Sequence, residues 1–179
     1  AEEDPAKQIQ NPVWHIHEGT PPGDAAPVGF GMLLNLASVC NTEDKAVLWG
    51  FITRYAPDAT PETNPMLDSL VGYALNYFRD FVKPEKQFRD PTAQEREALQ
   101  DLANRFRDLP AESDATEIQN LVYTVGKEHG FENLRDWFGT LYEVLFGQSQ
   151  GPRFGSFVAL YGLPESITLI EDALAREAA

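Results

Sequence analysis

The sequence predicts an all-α fold, a multi-helix bundle of about eight helices, and three observations support this prediction. Apolar residues recur with a helical period of about 3.6 residues along most of the chain. No segment alternates between apolar and polar residues for long enough to form a strand. Short connections that contain Pro, Gly and helix-capping residues separate the periodic segments, as is typical of helix bundles.

The first three helices are each bounded by capping residues or prolines. Asn41 stops the first helix, and Asn41 or Thr42 can cap the second. Pro65 suits the first position of the third helix, and Pro84 ends it. The expected helices span residues 28–40, 42–55 and 65–83. The third should bury a broad apolar face formed by Met66, Leu67, Leu70, Val71, Ala74, Tyr77, Phe78 and Phe81.

Two capping boxes open the next helices. Thr92 with Glu95, and Asp114 with Glu117, each place a capping side chain three residues before a Glu, ahead of an apolar stripe. Asn133 can cap a sixth helix, and an eighth begins near residue 164. These signals predict helices over residues 93–109, 115–129 and 134–146, and from 164 onward.

The seventh helix follows a glycine-rich turn, GQSQGPRFG at 147–155. Gly147 can close the sixth helix, and Pro152 suits the first position of the seventh. Arg153 then lies at the mouth of this helix beside Phe154. A guanidinium with small neighbours can meet a flat, anionic ligand by stacking or by a bidentate bond. The alternative is a structural corner whose Arg153 pairs with a surface carboxylate.

The composition limits the classes of function. The net charge of −14 argues against a protein that wraps nucleic acid without regard to sequence, since such binding needs many neutralised phosphates. The single cysteine, Cys40, favours a reducing compartment, the cytoplasm. The sequence has no apolar run long enough to predict a membrane span. The chain does not begin with Met, so we expect it to be a piece of a longer protein.

Half of the fourteen Lys and Arg lie in residues 79–107, together with six acids. This window has two interpretations: a locally basic surface that attracts a polyanion, or ordinary salt bridges along helices.

No catalytic motif of a hydrolase, metalloprotease or nucleotide-binding loop is present in the sequence. His15 and His17 lie two residues apart beside Trp14, but no further ligand type is near them, so we predict no metal site. Trp14 and Ile16 are instead expected to pin an extended segment onto the helices. The predicted organisation is an irregular linker at 1–26, a first helical subdomain at 27–91 and a second at 92–179.

The stretches ATEIQNLVYTVGKEHG and LRDWFGTLYEVLFGQSQGPRFGSFVALYG carry a longer pattern. They resemble the C-terminal part of class I lysyl-tRNA synthetases, and NPVWHIH followed by FGMLLNL resembles the bacterial lysine branch of that family. The positions that match the pattern are Glu117, Asn120, Tyr123, Lys127, Leu141, Tyr142, Gly147, Gly151, Pro152, Arg153, Gly155 and Gly162.

The resemblance implies a function in aminoacylation. The family's full-length enzyme is a lysine–tRNA ligase that uses ATP in a Rossmann domain with HIGH-like and KMSKS-like signatures, and neither signature is present here. This chain would then be non-catalytic, without a cofactor of its own. It would form the α-helix cage that holds the anticodon stem-loop of tRNA(Lys), next to the catalytic domain of the same polypeptide.

Within such a cage, Arg153 is the first candidate for contact with the anticodon loop, followed by Phe154, Lys127 and Arg135. One alternative is a helical protein-interaction module that does not bind RNA. Another, ranked last, is a hydrolase that uses paired carboxylates.

Overall fold

The helical prediction is confirmed. A computed structural model describes residues 26–176, so the expectations for Trp14, His15, Ile16 and His17 lie outside the described residues. No strand occurs within 26–176. The described part of the chain contains eight α-helices: α1 (Phe30–Cys40), α2 (Lys45–Tyr55), α3 (Pro65–Tyr77), α4 (Ala93–Asp108), α5 (Ala115–Glu128), α6 (Leu134–Thr140), α7 (Phe154–Tyr161) and α8 (Leu163–Ala175). Two of them continue as π-helical segments, π1 (Phe78–Val82) after α3 and π2 (Leu141–Phe146) after α6, and a 3₁₀ turn (Lys83–Glu85) follows π1.

Both predicted capping boxes are present. The Thr92 hydroxyl accepts from the Glu95 amide, and the Glu95 carboxylate accepts from the Thr92 amide. Asp114 and Glu117 make the same reciprocal pair at the start of α5. The predicted cap of α2 is wrong, because Asp44 accepts from the Ala46 amide at 2.8 Å and the helix therefore begins at residue 45.

The helices pack around two hydrophobic clusters. One is formed mainly by α1, α2 and α3, with Leu36, Leu48 and Phe78 fully buried. The other is formed by α4 to α8. Helix α7 belongs to both, since Leu160 packs in the first cluster and Phe157 in the second. The subdomain boundary at residues 91 and 92 stays a prediction. None of the described helices is both long and apolar enough to cross a membrane.

The predicted buried face of α3 is wrong at several positions. Phe78 is fully buried, but Tyr77 and Phe81 are 46% and 61% exposed, and Met66 near the start of the helix is 54% exposed. Tyr77 ends α3 four residues after Tyr73, which is also exposed, so these two rings share the outward side of the α-helix. Phe81 lies within π1, where a turn takes more residues than in an α-helix, so the spacing assumed from the sequence no longer applies. A row of aromatic side chains therefore faces outward, where the helical period of the sequence predicted buried residues.

The basic residues of the 79–107 window are bound inside the chain, so they do not form a free basic surface. Most of their partners lie on other helices, and only Arg105 with Asp101 makes the expected i, i+4 pair. The contacts are Arg79–Asp80, Lys83–Glu43, Lys86 with the Ser38 carbonyl, Arg89 with Glu95 and Glu143, Arg96 with the Leu174 carbonyl, Arg105 with Asp101 and Glu128, and Arg107–Glu171.

Candidate nucleic-acid interface

The start of α7 is pressed against α5. The Gly155 amide donates to the Oε1 atom of Gln119 at 2.7 Å, and the Gln119 side chain is buried. A Cβ atom at residue 155 would lie only 2.4 Å from the Ala115 carbonyl oxygen. Glycine at this position therefore allows the two helices to approach each other, and the contact fixes the backbone where α7 begins.

A second contact holds the turn that precedes α7. The Tyr142 hydroxyl of π2 donates to the Pro152 carbonyl. Burial raises the pKa of Tyr142 to about 12, so this donor keeps its proton at neutral pH. The prediction that Pro152 opens the helix is wrong, because Pro152 lies in the turn and α7 begins at Phe154 with Arg153 as its N-cap.

Arg153 extends from this fixed corner with its side chain exposed. No carboxylate within residues 26–176 pairs with it, so the interpretation as a surface ion pair is not supported. A cation at the N-terminus of a helix also opposes the helix dipole. Among residues 26–176 the charge of Arg153 thus has no favourable partner, and its exposed guanidinium could bind a ligand from outside.

Phe154 has a different role from the one the sequence suggested. Its side chain is 2% exposed, and its ring packs 6.1 Å from Phe146 and 6.4 Å from Phe157, centroid to centroid. A ring enclosed in the core cannot stack on a base that approaches from solvent. The structure therefore removes Phe154 from the candidate contact residues and makes it an anchor of α7.

Lys127 and Arg135 lie on the surface formed by α5 and α6. Lys127 is in the last turn of α5, and Arg135 is in the first turn of α6; both are exposed. Tyr123 precedes Lys127 by one helical turn, about 6 Å along the axis. The Tyr123 ring is 39% exposed and meets Phe138 edge-on at 5.3 Å.

Arg153 shares a depression of about 210 Å³ with Tyr123, Phe138 and Tyr142. The surface defined by Tyr123, Lys127, Arg135 and Arg153 is called the cationic face below. Arg153 lies at one end of it. Lys127 and Arg135 lie toward the other end, where α5 turns into α6.

The three cations of this face are distinctive when every described cation is compared. The chain has fourteen Lys and Arg, of which Lys7 lies outside the described residues. Ten of the others pair with a carboxylate or donate to a backbone carbonyl. Within residues 26–176, only Lys127, Arg135 and Arg153 make no such contact.

The sequence of the chain is similar to proteins of one class of enzyme. No family model matches the chain. The chain is 52% identical over 177 residues to a protein of Roseobacter denitrificans, across 99% of this chain and 33% of that relative. It is 47% identical over 174 residues to proteins of Rickettsia conorii and Rickettsia bellii, across 97% of this chain and 33% of each relative. These relatives are lysine–tRNA ligases. The chain spans about a third of the length of the relatives it matches.

Tyr123 is the member of the cationic face that the sequence analysis left out of the site. It matches the synthetase pattern, but a tyrosine on an amphipathic helix is usually a packing residue. Its spacing of four from Lys127 was the available signal, since residues four apart share a helix face. Only the structure shows that this face is left open to solvent.

Proposed function

We propose that this chain is the tRNA-recognition portion of a class I lysine–tRNA ligase. Its cationic face would contact the anticodon stem-loop of tRNA(Lys). In the whole protein, which we expect in the cytoplasm, ATP and lysine would react in a domain outside this chain, and this portion would need no cofactor. The similarity to lysine–tRNA ligases over nearly the whole chain supports the proposal.

One observation carries the assignment of the surface. The exposed Tyr123 ring shares a depression with Arg153 and lies one helical turn from Lys127, and Arg135 follows in the first turn of α6. None of these three cations has a carboxylate or carbonyl partner within residues 26–176. Lys and Arg contribute to RNA binding by neutralising phosphates, and aromatic rings contribute by stacking on unpaired bases. An anticodon loop offers both groups at short spacing, so one small surface can engage it.

The negative net charge is compatible with this surface. Seven of the other described cations pair with carboxylates, and Lys86, Arg96 and Arg176 are held by backbone carbonyls, so the cations most available to a phosphate are Lys127, Arg135 and Arg153. Such a protein attracts a polyanion over a small area and repels it elsewhere. This pattern suits the recognition of one loop better than the coating of a long duplex.

A salt titration tests the proposal. Labelled tRNA(Lys) is bound to the full-length protein and to the variants Arg153→Ala and Lys127→Ala, with Lys83→Ala as the matched control because Lys83 already pairs with Glu43. Each variant of the face should weaken binding and lower the slope of log K against log salt by about 0.7 to 0.9. If both variants match Lys83→Ala in affinity and slope, the cationic face does not bind tRNA.

A second candidate function has its own observation. The exposed side chains of Tyr73, Tyr77 and Phe81 form an aromatic surface on α3 and π1 that a protein partner could cover. A protein-interaction module would lose its partner when these rings are removed, and its affinity for tRNA(Lys) would be negligible from the start. The same titration therefore separates the two functions.

A further inference from the structure

A second concave surface lies on the other side of the 147–152 turn. It is an open cleft of about 750 Å³ between π1, residues 85–89 and the beginning of that turn. It is called the aromatic cleft below. The side chains that matter for its chemistry are those of Tyr77, Phe81, Phe88, Lys86, Gln148 and Gln150.

The aromatic rings of this cleft are open to solvent. Phe81 is 61% exposed, Phe88 is 47% exposed, and Tyr77 is 46% exposed. The centroids of Tyr77 and Phe81 are 5.0 Å apart, with a tilt of 37° between the rings. Exposed neighbouring rings at the edge of a cavity offer faces on which a flat ligand can stack.

The polar groups of the cleft suit a neutral ligand. Arg89 is bound to Glu95 and Glu143, so its charge is compensated. Lys86 keeps its charge, but its ammonium is held within the fold, since it donates to the Ser38 carbonyl at 2.6 Å and lies 4.9 Å from the centroid of the Phe88 ring. The amides of Gln148 and Gln150 line the wall, and an amide can donate and accept hydrogen bonds at once. The Gln148 amide nitrogen already donates to the Ser38 hydroxyl at 2.7 Å, which leaves its oxygen as the group to accept from a ligand. A ring with donors and acceptors on its edge fits this lining better than a phosphate does.

The aromatic cleft is joined to the cationic face by a short, anchored stretch of chain. Gly147, with φ at 66°, ends π2 and begins the turn that leads to Arg153. Its carbonyl accepts from the Gln87 amide at 3.1 Å, which ties the two walls of the cleft together. Arg153 follows Gly147 by six positions, so their Cα atoms are at most about 22 Å apart. A few nucleotides can span this distance.

Both π segments border the cleft. Tyr77 and Phe81 come from the junction of α3 with π1, and Glu143 and Gly147 come from π2 and its end. Single π turns inside helices occur frequently at functional sites. Phe81 lies within π1 and Tyr77 directly precedes it, and both rings are exposed while Phe78 between them stays buried.

Resting on the function proposed above, we propose that the aromatic cleft receives an unpaired base of the tRNA bound at the cationic face. The base stacks on Phe81 and Tyr77, and the amides of Gln148 and Gln150 contact its edge. Phosphate binding and base binding are thus divided between two surfaces on either side of the turn that carries Arg153.

The test uses the full-length protein and removes the rings without touching the core. The double variant Tyr77→Ala/Phe81→Ala is compared with Tyr73→Ala, which removes an aromatic ring of 63% exposure from the same helix outside the cleft. Binding of tRNA(Lys) is titrated at several salt concentrations. In parallel, tRNA with 4-thiouridine in its anticodon loop is photocrosslinked, and the modified peptide is sequenced.

The proposal predicts that the double variant binds about 5- to 150-fold more weakly, as expected for the loss of base stacking. The salt slope should stay unchanged because no cation is removed, and Tyr73→Ala should bind like the unmodified protein. Crosslinks in the unmodified protein should fall within residues 77–88 or 147–153.

Other outcomes overturn it. If the double variant binds tRNA like Tyr73→Ala while Arg153→Ala binds weakly, the cleft is not a base site and the proposed function still holds. If Arg153→Ala also binds normally, both proposals fail. If the double variant loses aminoacylation at unchanged tRNA affinity, the rings contact another part of the polypeptide instead.

Discussion

Replacing Gly155 with alanine should separate α5 from α7. The new Cβ atom would lie 2.4 Å from the Ala115 carbonyl oxygen and 2.8 Å from both the Cβ and the backbone nitrogen of Gln119. Two of these three atoms belong to the backbone of α5, so no side-chain rotation can make room. The helices must move apart, and the hydrogen bond from the Gly155 amide to Gln119 lengthens or breaks.

Three contributions set the size of the effect. Overpacking of this kind costs about 1–3 kcal/mol. The weakened Gln119 hydrogen bond adds about 1 kcal/mol. The better helix propensity of alanine offsets about 1 kcal/mol. The free energy of unfolding should therefore fall by about 1–3 kcal/mol, which for a chain of this length corresponds to a Tm lower by roughly 2–12 °C.

Thermal unfolding followed by circular dichroism measures the change, with Gly50→Ala as the matched control. Gly50 is also inside a helix, but a Cβ at this position meets nothing within 4 Å, so alanine there should raise Tm by roughly 1–4 °C. Gly155→Ala should also weaken tRNA binding because it displaces Arg153. The reasoning is refuted if Gly155→Ala raises Tm as Gly50→Ala does.

Three further predictions follow from single contacts. Hydrogen bonds from Arg89 lower the pKa of Glu95 from 4.5 to about 2, so this carboxylate stabilises the fold above pH 4.5, and the contribution is lost as pH falls toward 2. Glu95→Gln should lower the free energy of unfolding in urea by about 1.5–3 kcal/mol at pH 7. The variant's free energy of unfolding should also vary less between pH 4.5 and 2. An unchanged pH dependence in this range would contradict the prediction. Tyr142→Phe should lower the free energy of unfolding in urea by about 0.5–1.5 kcal/mol, because the hydrogen bond to the Pro152 carbonyl is lost. It should also weaken tRNA binding, measured by titration, because the turn at Pro152 is no longer held. Burial raises the pKa of Cys40 to about 11, so a thiol reagent at neutral pH should modify Cys40 quickly only after unfolding.

Local signals in the sequence were sufficient to predict most helix boundaries. The capping boxes at Thr92 and Asp114 depend on residues three apart, which interact whatever the rest of the fold does. The π segments could not be predicted in this way. Phe78 at the start of π1 is fully buried in a cluster formed by residues distant in sequence, and no local signal reports that packing.

The site itself stays a prediction, and the sequence reveals only part of what the structure shows of its residues. Arg153, Lys127 and Arg135 were selected from sequence, and all three are exposed, with no carboxylate or carbonyl partner within residues 26–176. Phe154 was chosen because it neighbours Arg153, but adjacent residues on a helix point in different directions. Whether a ring at such a position faces solvent or core depends on the neighbouring helices, which a single segment does not reveal.

The pairing of charges connects the stability of this fold to its proposed specificity. A cation that binds a carboxylate in the same chain has little left to offer a phosphate, and Arg89 with two carboxylate partners illustrates this. Removing such a cation should change stability more than RNA affinity, whereas removing Arg153 should do the reverse. The acidic balance then contributes to recognition, because RNA that misses the cationic face meets a repulsive surface. Specificity by this route should weaken at high salt, where both the attraction and the repulsion are screened.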